Sequence, residues 1–325
     1  MKRIIKCIIF ITIFLIILAI ISKIFIPKNN TLEAGLGKRK LTASGIYTEP
    51  ENTIDVLVLG DSESYTSYIP LELWNQYGFT SYVCGTPAQR LSVSLSYIKD
   101  ALKTQKPKIV LLEADNTYIR ISVTKHLKDD TRTFIPAFEY HDRWKNLSLE
   151  DFYKSPEYTN IINDKGYRYS NITEKVKKSK QKKYMKKTKN ILEISNENKN
   201  YLRKIKKCCD ENNIKFMLYS SPDPANWTYD KQNGTKKFAK ELGVEYIDLN
   251  LKVNEMQIDW QNDSQDKKGE HLNFTGALKV TNYLGNYLKH NNELPDHRQD
   301  KKYSPWNEAY NNFQKEIEES KKASV

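Results

Sequence analysis

The chain has little of several things, and each scarcity closes off a class of protein. Four cysteines occur in 325 residues. Cys7 lies in an apolar segment, Cys84 stands alone, and Cys208 and Cys209 are neighbours, so neither a disulfide framework nor a structural zinc spacing is present. Twelve glycines and 11 prolines exclude a collagen-like or low-complexity chain. No self-similar period marks a solenoid or propeller. With 39% hydrophobic and 28% charged residues the composition is globular, with room for two domains or one α/β domain carrying insertions.

A single long hydrophobic run breaks the low mean hydropathy of -0.69. In IIKCIIFITIFLIILAIISKIFIP (Ile4 to Pro27) the stretch from Cys7 to Ser22 is uncharged. Counting Ile24 to Ile26, with Lys23 snorkelling, it reaches the ~20 residues that cross a bilayer. Lys2, Arg3 and Lys6 precede it and no small-x-small cleavage site follows directly. Residues 1–27 are therefore expected to be an uncleaved transmembrane signal anchor. The positive-inside rule places the N-terminus in the cytoplasm and the remainder outside, as a single-pass protein of the cell membrane.

Acidic residues are missing from one stretch in particular. KVKKSKQKKYMKKTK (Lys175 to Lys189) holds nine Lys and no acid, which accounts for all but three of the net charge of +12. It is expected to form a basic helix. Such a helix either attracts anionic lipid or an anionic wall polymer or is simply a solvated face, and placement outside the cell disfavours nucleic acid.

What is present in quantity is alternation. IDVLVLG (Ile54 to Gly60) is a nearly continuous apolar, β-branched run of the kind buried in a parallel sheet. Thr80 to Cys84, Lys108 to Glu113, Lys215 to Ser220 and Val244 to Leu249 repeat the pattern. Helical patterns lie between them at Arg90 to Thr104, Asn196 to Asn212 and Lys231 to Leu242. The expectation is a doubly wound, mostly parallel five-stranded α/β sheet in three layers. Residues 28–52 read as a linker, 53–290 as the α/β domain with an insertion at about 117–194, and 291–325 as a polar extension. In that extension Trp306, Tyr310, Phe313 and Ile317 form an apolar stripe after Ser304-Pro305, which should dock on the domain.

Chemistry enters where the first strand ends. GDSES places Ser62 two residues past Gly60, outside the carboxyl end of a parallel strand, where open α/β sheets bind ligands. Near the far end of the domain, EHLNFTGALKVTNYLGNYL places His271 just before a helix opened by Asn273 or Thr275. A hydroxyl nucleophile and an imidazole base at these positions fit serine esterase chemistry. Together they make the sequence resemble the SGNH/GDSL hydrolase superfamily over about residues 53 to 290. With the N-terminal anchor, the chain looks most like its cell-surface, DltD-like branch in Gram-positive bacteria.

The resemblance implies a flavodoxin-like sheet and a Ser-His-Asp set of Ser62, His271 and an acid. Lys268 occupies the place of the Asp in the D-x-x-H block, so Asp266 is taken as the acid, with KKGE read as a small insertion. Asp263 is the alternative, and the Glu270 side chain is expected to point elsewhere. The oxyanion hole implied is Ser62, Gly85 in YVCGTPA, and Asn116 in VLLEADN. There Ala114 replaces the expected Gly, and Glu113 or Asp115 are alternative site residues. No metal or cofactor is required. The expected activity is that of a serine esterase or O-acyltransferase acting on acyl esters of a cell-envelope polymer or glycan, with a membrane-bound acyl donor protein as a further partner. The alternative is a non-catalytic envelope assembly or polymer-binding protein on the same fold.

Overall fold

The computed structural model describes residues 2–119 and 135–322, together with Thr124, Lys128, Thr131 and Arg132 between them. Five strands form its centre: β1 (Val56–Gly60), β2 (Ser81–Gly85), β3 (Ile109–Glu113), β4 (Lys215–Ser220) and β5 (Glu245–Asp248). Their order is β2-β1-β3-β4-β5 and every pairing is parallel, Val58 standing opposite both Val83 and Leu111. Val, Ile and Leu are tolerated without polar alternation because β1, β2 and β3 are buried on both faces. This is the five-stranded, doubly wound sheet expected from the sequence, with flavodoxin-like strand order.

The helices are α1 (Lys2–Phe25), α2 (Lys38–Ser44), α3 (Ser62–Ser67), α4 (Pro70–Tyr77), α5 (Leu91–Ala101), α6 (Asn196–Glu211), α7 (Tyr229–Leu242), α8 (Phe274–Asn291) and α9 (Ser304–Lys322). One layer is made by α6 packing on α5 and β4, with α7 against β5; the opposite layer combines α3, α4, α8 and α9. Helix α1 is the one described helix long and apolar enough to cross a membrane, and its apolar window is not buried against the rest of the protein.

Three segments differ from what composition suggests. Residues 28–52, read as a linker, contain α2 and a 3-10 turn at Gly45–Thr48, with Ala43 and Ile46 buried and the Tyr82 hydroxyl donating to Thr42 O at 2.8 Å. A few apolar contacts suffice to order a polar stretch. In the insertion, residues 120–123, 125–127, 129, 130, 133 and 134 lie outside the described residues; elsewhere it is short helical turns and extended chain. Its residues Lys165 to Tyr167 lie beside the free edge of β2, Val83 N donating to Lys165 O at 2.9 Å, which leaves that edge covered.

The basic run is the third difference. Only Lys178–Lys183 is helical, and the expected helix over Lys175 to Lys189 is not formed. No apolar stripe exists there to pack a longer helix on the domain, and like charges at adjacent turns oppose one.

The C-terminal stripe docks as its spacing requires. Trp306, Phe313 and Ile317 are buried and Tyr310 is half-buried, with α9 lying on α4. The Trp306 and Trp74 rings are 5.7 Å apart, Phe313 meets Tyr167 edge-on at 6.0 Å, and Lys165 Nζ lies 4.8 Å over the Trp306 ring. Phe313→Ala should therefore cost about 3–5 kcal/mol, whereas Glu308→Ala on the exposed face should stay within about 0.5 kcal/mol. Denaturant unfolding of the full chain in detergent measures both, and equal costs would show that α9 does not contribute to the core.

Candidate active site

The sheet order reverses at β1, so the crevice outside the carboxyl ends of β1 and β3 is the topological switch point. Two glycines let the chain close tightly there. Gly60 has φ +155°, and a Cβ on it would lie 2.7 Å from the Cβ of Glu113 and 2.8 Å from that of Ser64; one on Gly85 would lie 2.5 Å from Ser64 Oγ. Helix α3 is thus wedged between the two strand ends. Ser64 Oγ donates to Asp61 O at 2.7 Å and holds the turn. Ser62 then opens α3, half-buried, with its N–H among the first-turn donors that have no partner inside the helix.

The His271 loop is organised by one carboxylate. Asp266 Oδ1 accepts the N–H groups of Lys268, Gly269 and Glu270 at 2.8, 2.9 and 3.2 Å, and Oδ2 accepts the N–H of His271 at 2.9 Å. KKGE is therefore wound around the Asp266 side chain. The same Oδ2 lies 3.2 Å from His271 Nδ1. Burial pushes the Asp266 carboxyl up, but the His271 ring and the surrounding N–H groups outweigh it and hold the group well below the usual carboxylate range. An ionised Asp266 can only accept, so Nδ1 carries a proton, and in the neutral ring Nε2 is the atom with the lone pair. Nε2 is buried and has no hydrogen-bond partner. Asn273, the N-cap of α8, accepts from Gly276 N at 3.1 Å and donates to Asn262 O at 2.7 Å, which fixes the loop onto the helix.

Asp263 is engaged elsewhere, its Oδ2 accepting Lys279 Nζ and the Asp259 N–H, both at 2.6 Å. Asn116 sits in the 3-10 turn Asp115–Tyr118 that follows β3; it is buried, and neither side-chain atom has a partner. Gly85 closes β2 beside α3.

Between Ser62 and His271 stands a residue that the sequence reading passed over. Ser62 Oγ donates to Glu63 Oε2 at 3.3 Å rather than to the imidazole. Carboxylate oxygens of Glu63 and Glu270 and a ring nitrogen of His271 lie within 4.8 Å of one another, so Glu270 does not turn away. Glu63 is also the hub of two carboxyl groupings at the same spacing, one with Asp61 and Glu113 and one with Asp115 and Asp223. Oxygen ligands so placed can share a hard cation or share protons. Lys231 Nζ, 2.6 Å from Asp115 Oδ1, supplies positive charge on one side.

Burial and then the neighbouring acids raise these groups. Asp61 is pushed up to about 7, and Glu63, Glu113 and Asp223 well above their ordinary values. Beyond Asp115 and Lys231 a groove of about 760 Å³ opens, lined also by Tyr118, Asn198, Lys199 and Lys237. An acid directly after the motif serine and a second one in SSPDPAN after β4 were the signals available in the sequence for Glu63 and Asp223.

No protein-family model and no curated protein matches the chain. Its structural likenesses include GDSL-like lipases and acylhydrolases. A GDSL-like lipase from Bacteroides thetaiotaomicron is 9% identical, with 78% of this chain and 98% of that one covered and a TM-score of 0.38. A Bacteroides fragilis protein provisionally described as an acylhydrolase is also 9% identical, with coverages of 78% and 95% and a TM-score of 0.38. A Streptococcus pneumonia protein provisionally described as a platelet activating factor is 16% identical, with coverages of 79% and 96% and a TM-score of 0.40. These likenesses are distant.

The buried Asp61 carboxyl ties stability to pH. Its folded pKa of about 7 lies above the ordinary 3.8. The folded state thus holds the extra proton, and this contribution to stability is present at low pH and lost as pH rises through about 7. Glu63 and Glu113 act in the same direction. Asp61→Asn should therefore make the fall in melting temperature between about pH 5 and about pH 8 shallower by several degrees. Thermal unfolding at both pH values checks it, and parallel curves for variant and wild type would contradict the burial argument.

Proposed function

We propose that the chain is a membrane-anchored, extracytoplasmic serine esterase or O-acyltransferase that acts on acyl esters of a cell-envelope polymer or glycan, in the manner of the SGNH/GDSL superfamily and its DltD-like branch. The observation that carries this reading is the His271 ring. Its Nδ1 faces Asp266 while its buried Nε2 lacks a partner, and a ring nitrogen lies within 4.8 Å of an oxygen of Glu63, the residue that Ser62 Oγ contacts. His271 would take the Ser62 proton through Nε2 as Ser62 Oγ bonds to the ester carbonyl, and Asp266 would stabilise the imidazolium. The 3.3 Å contact from Ser62 to Glu63 is long and holds the hydroxyl weakly. The Ser62 and Gly85 N–H groups and the unpartnered Asn116 amide would receive the developing oxyanion. The proton on His271 then passes to the departing alkoxide as the carbonyl C–O bond breaks. Water or a sugar hydroxyl, deprotonated in turn by His271, takes the acyl group and frees Ser62.

The basic run supports an anionic polymer as the carrier of the ester. Lys177 N donates to Lys267 O at 3.0 Å and Lys180 Nζ to Ala225 O at 3.2 Å, so the run borders the Asp266 and Asp223 loops while Lys182, Lys183, Lys186 and Lys187 stay exposed. A membrane-bound acyl donor would be the partner if transfer prevails over hydrolysis. The second reading, a non-catalytic polymer-binding protein, is favoured by the Ser62 to Glu63 bond and by the crowd of carboxyls beside the serine.

A fluorophosphonate serine probe separates the two. The full chain in detergent should be labelled, and Ser62→Ala should abolish labelling. Ester turnover should fall nearly to background in Ser62→Ala and His271→Ala alike and without additivity, and by about 10²-fold or more in Asp266→Asn. An unlabelled wild type would leave the binding-protein reading, and turnover that survives His271→Ala would remove His271 from the role of base. Changing Lys177, Lys178, Lys182, Lys183, Lys186 and Lys187 together to Gln should raise KM on anionic polymer several-fold and leave turnover of a small neutral ester unchanged. Unaltered KM on the polymer would make the run a solvated face.

A further inference from the structure

The carboxyl end of a helix leaves carbonyl groups without partners, and at α1 one buried guanidinium answers them. Arg143 Nη1 donates to Phe25 O at 2.8 Å and to Ile24 O at 3.4 Å, while Nη2 donates to Asp151 Oδ1 at 2.7 Å. Asp151 Oδ2 in turn accepts Ser148 N at 2.8 Å, and Ser22 Oγ accepts Ala137 N at 3.3 Å. Three short turns, Pro136–Glu139, His141–Lys145 and Glu150–Tyr153, are thereby packed around the last turn of α1.

These turns present large apolar side chains outward, among exposed polar ones that include Asp142, Lys145 and Glu150. Trp144 is 64% exposed, Leu149 83%, Phe152 61% and Tyr153 69%, and Phe138 is exposed beside them. A water-facing patch of this kind on a soluble surface marks a binding face. Its level along the anchor indicates the occupant. At 1.5 Å rise per residue, Ile4 to Lys23 spans about 29 Å, the thickness of a bilayer's hydrocarbon core. Ser22 to Phe25, and the turns tied to them, therefore fall at the boundary between acyl chains and head groups. The residue types suit that layer: Trp and Tyr rings together with Lys145, whose Nζ lies 5.6 Å over the Trp144 ring, and the exposed Lys154.

We infer that residues 136–153 form a platform that inserts into the head-group layer beside α1, so that the domain meets the bilayer at a second, noncovalent contact. The inference rests on the reading of α1 as a membrane span and is independent of the acyl-transfer reading. Continuity with the span argues for lipid as the occupant.

The test is depth measurement by spin labels in the full chain, reconstituted in vesicles of phosphatidylcholine with phosphatidylglycerol. Cys7 and Cys208 are first changed to Ser, Cys84 and Cys209 being buried. Nitroxides are then placed one at a time through Leu149→Cys, Phe152→Cys, Ile13→Cys and Lys236→Cys. Ile13 reports α1 itself. Lys236 is exposed on α7, beside β5 at the sheet edge opposite β2. For positions 149 and 152 the ratio of collisions with oxygen to collisions with a water-soluble nickel chelate should exceed that at 236 by about threefold or more. If position 13 reports lipid while 149 and 152 match 236, the platform faces water or a protein and the inference is overturned. If position 13 also matches 236, the anchor reading itself falls.

Discussion

The organising constraint of this structure is the burial of negative charge at the ends of parallel strands. A parallel sheet aims all its carboxyl ends at one side, and here four strands bring acids there: Asp61 after β1, Glu113 at the end of β3, Asp223 after β4 and Asp248 at the end of β5, all buried. Glu63 lies among them. Two like charges about 5 Å apart repel by roughly 3.5 kcal/mol at an effective dielectric of about 20. Holding a proton on a carboxyl about three pH units above its ordinary pKa costs about 4 kcal/mol. One such neighbour plus desolvation is thus enough to tip the balance, and Glu63 has several. Burial and mutual repulsion therefore favour the protonated forms of these carboxyls.

Against that background the contrast between Asp266 and the other acids is informative. Asp266 is half-buried where they are buried, and four backbone N–H groups and an imidazole converge on it, so it ionises readily. Glu63 and Asp61 have no such shell. Environment alone divides one residue type into a strong acceptor and a set of proton carriers.

The parts of the fold legible in the sequence are those whose pattern follows from burial. β1 and β3 read as strands because both faces are covered, and α9 because Trp306, Phe313 and Ile317 recur at helical intervals. Ser62 and His271 were legible through position, at a strand end and before a helix. Asp266 was legible only by supposing an insertion, since the wrapping of Lys268 to His271 around a side chain leaves no periodic trace. Glu63 was not legible, because an acid in the first turn of a helix has an ordinary role there. Residues 28–52 misled for a related reason. Their contribution to the core rests on Leu36, Ala43 and Ile46, too few to colour the composition.

The position of α9 has a temporal side. The layer formed early in the chain, by Trp74 on α4, meets its covering ring, Trp306, more than two hundred residues later. During synthesis that surface stays open until the residues of α9 have emerged. The domain therefore cannot complete its core progressively from its N-terminus. A chain cut short before residue 304 would hold its apolar first helix, sheet and crevice residues and leave one wall of its interior open to water.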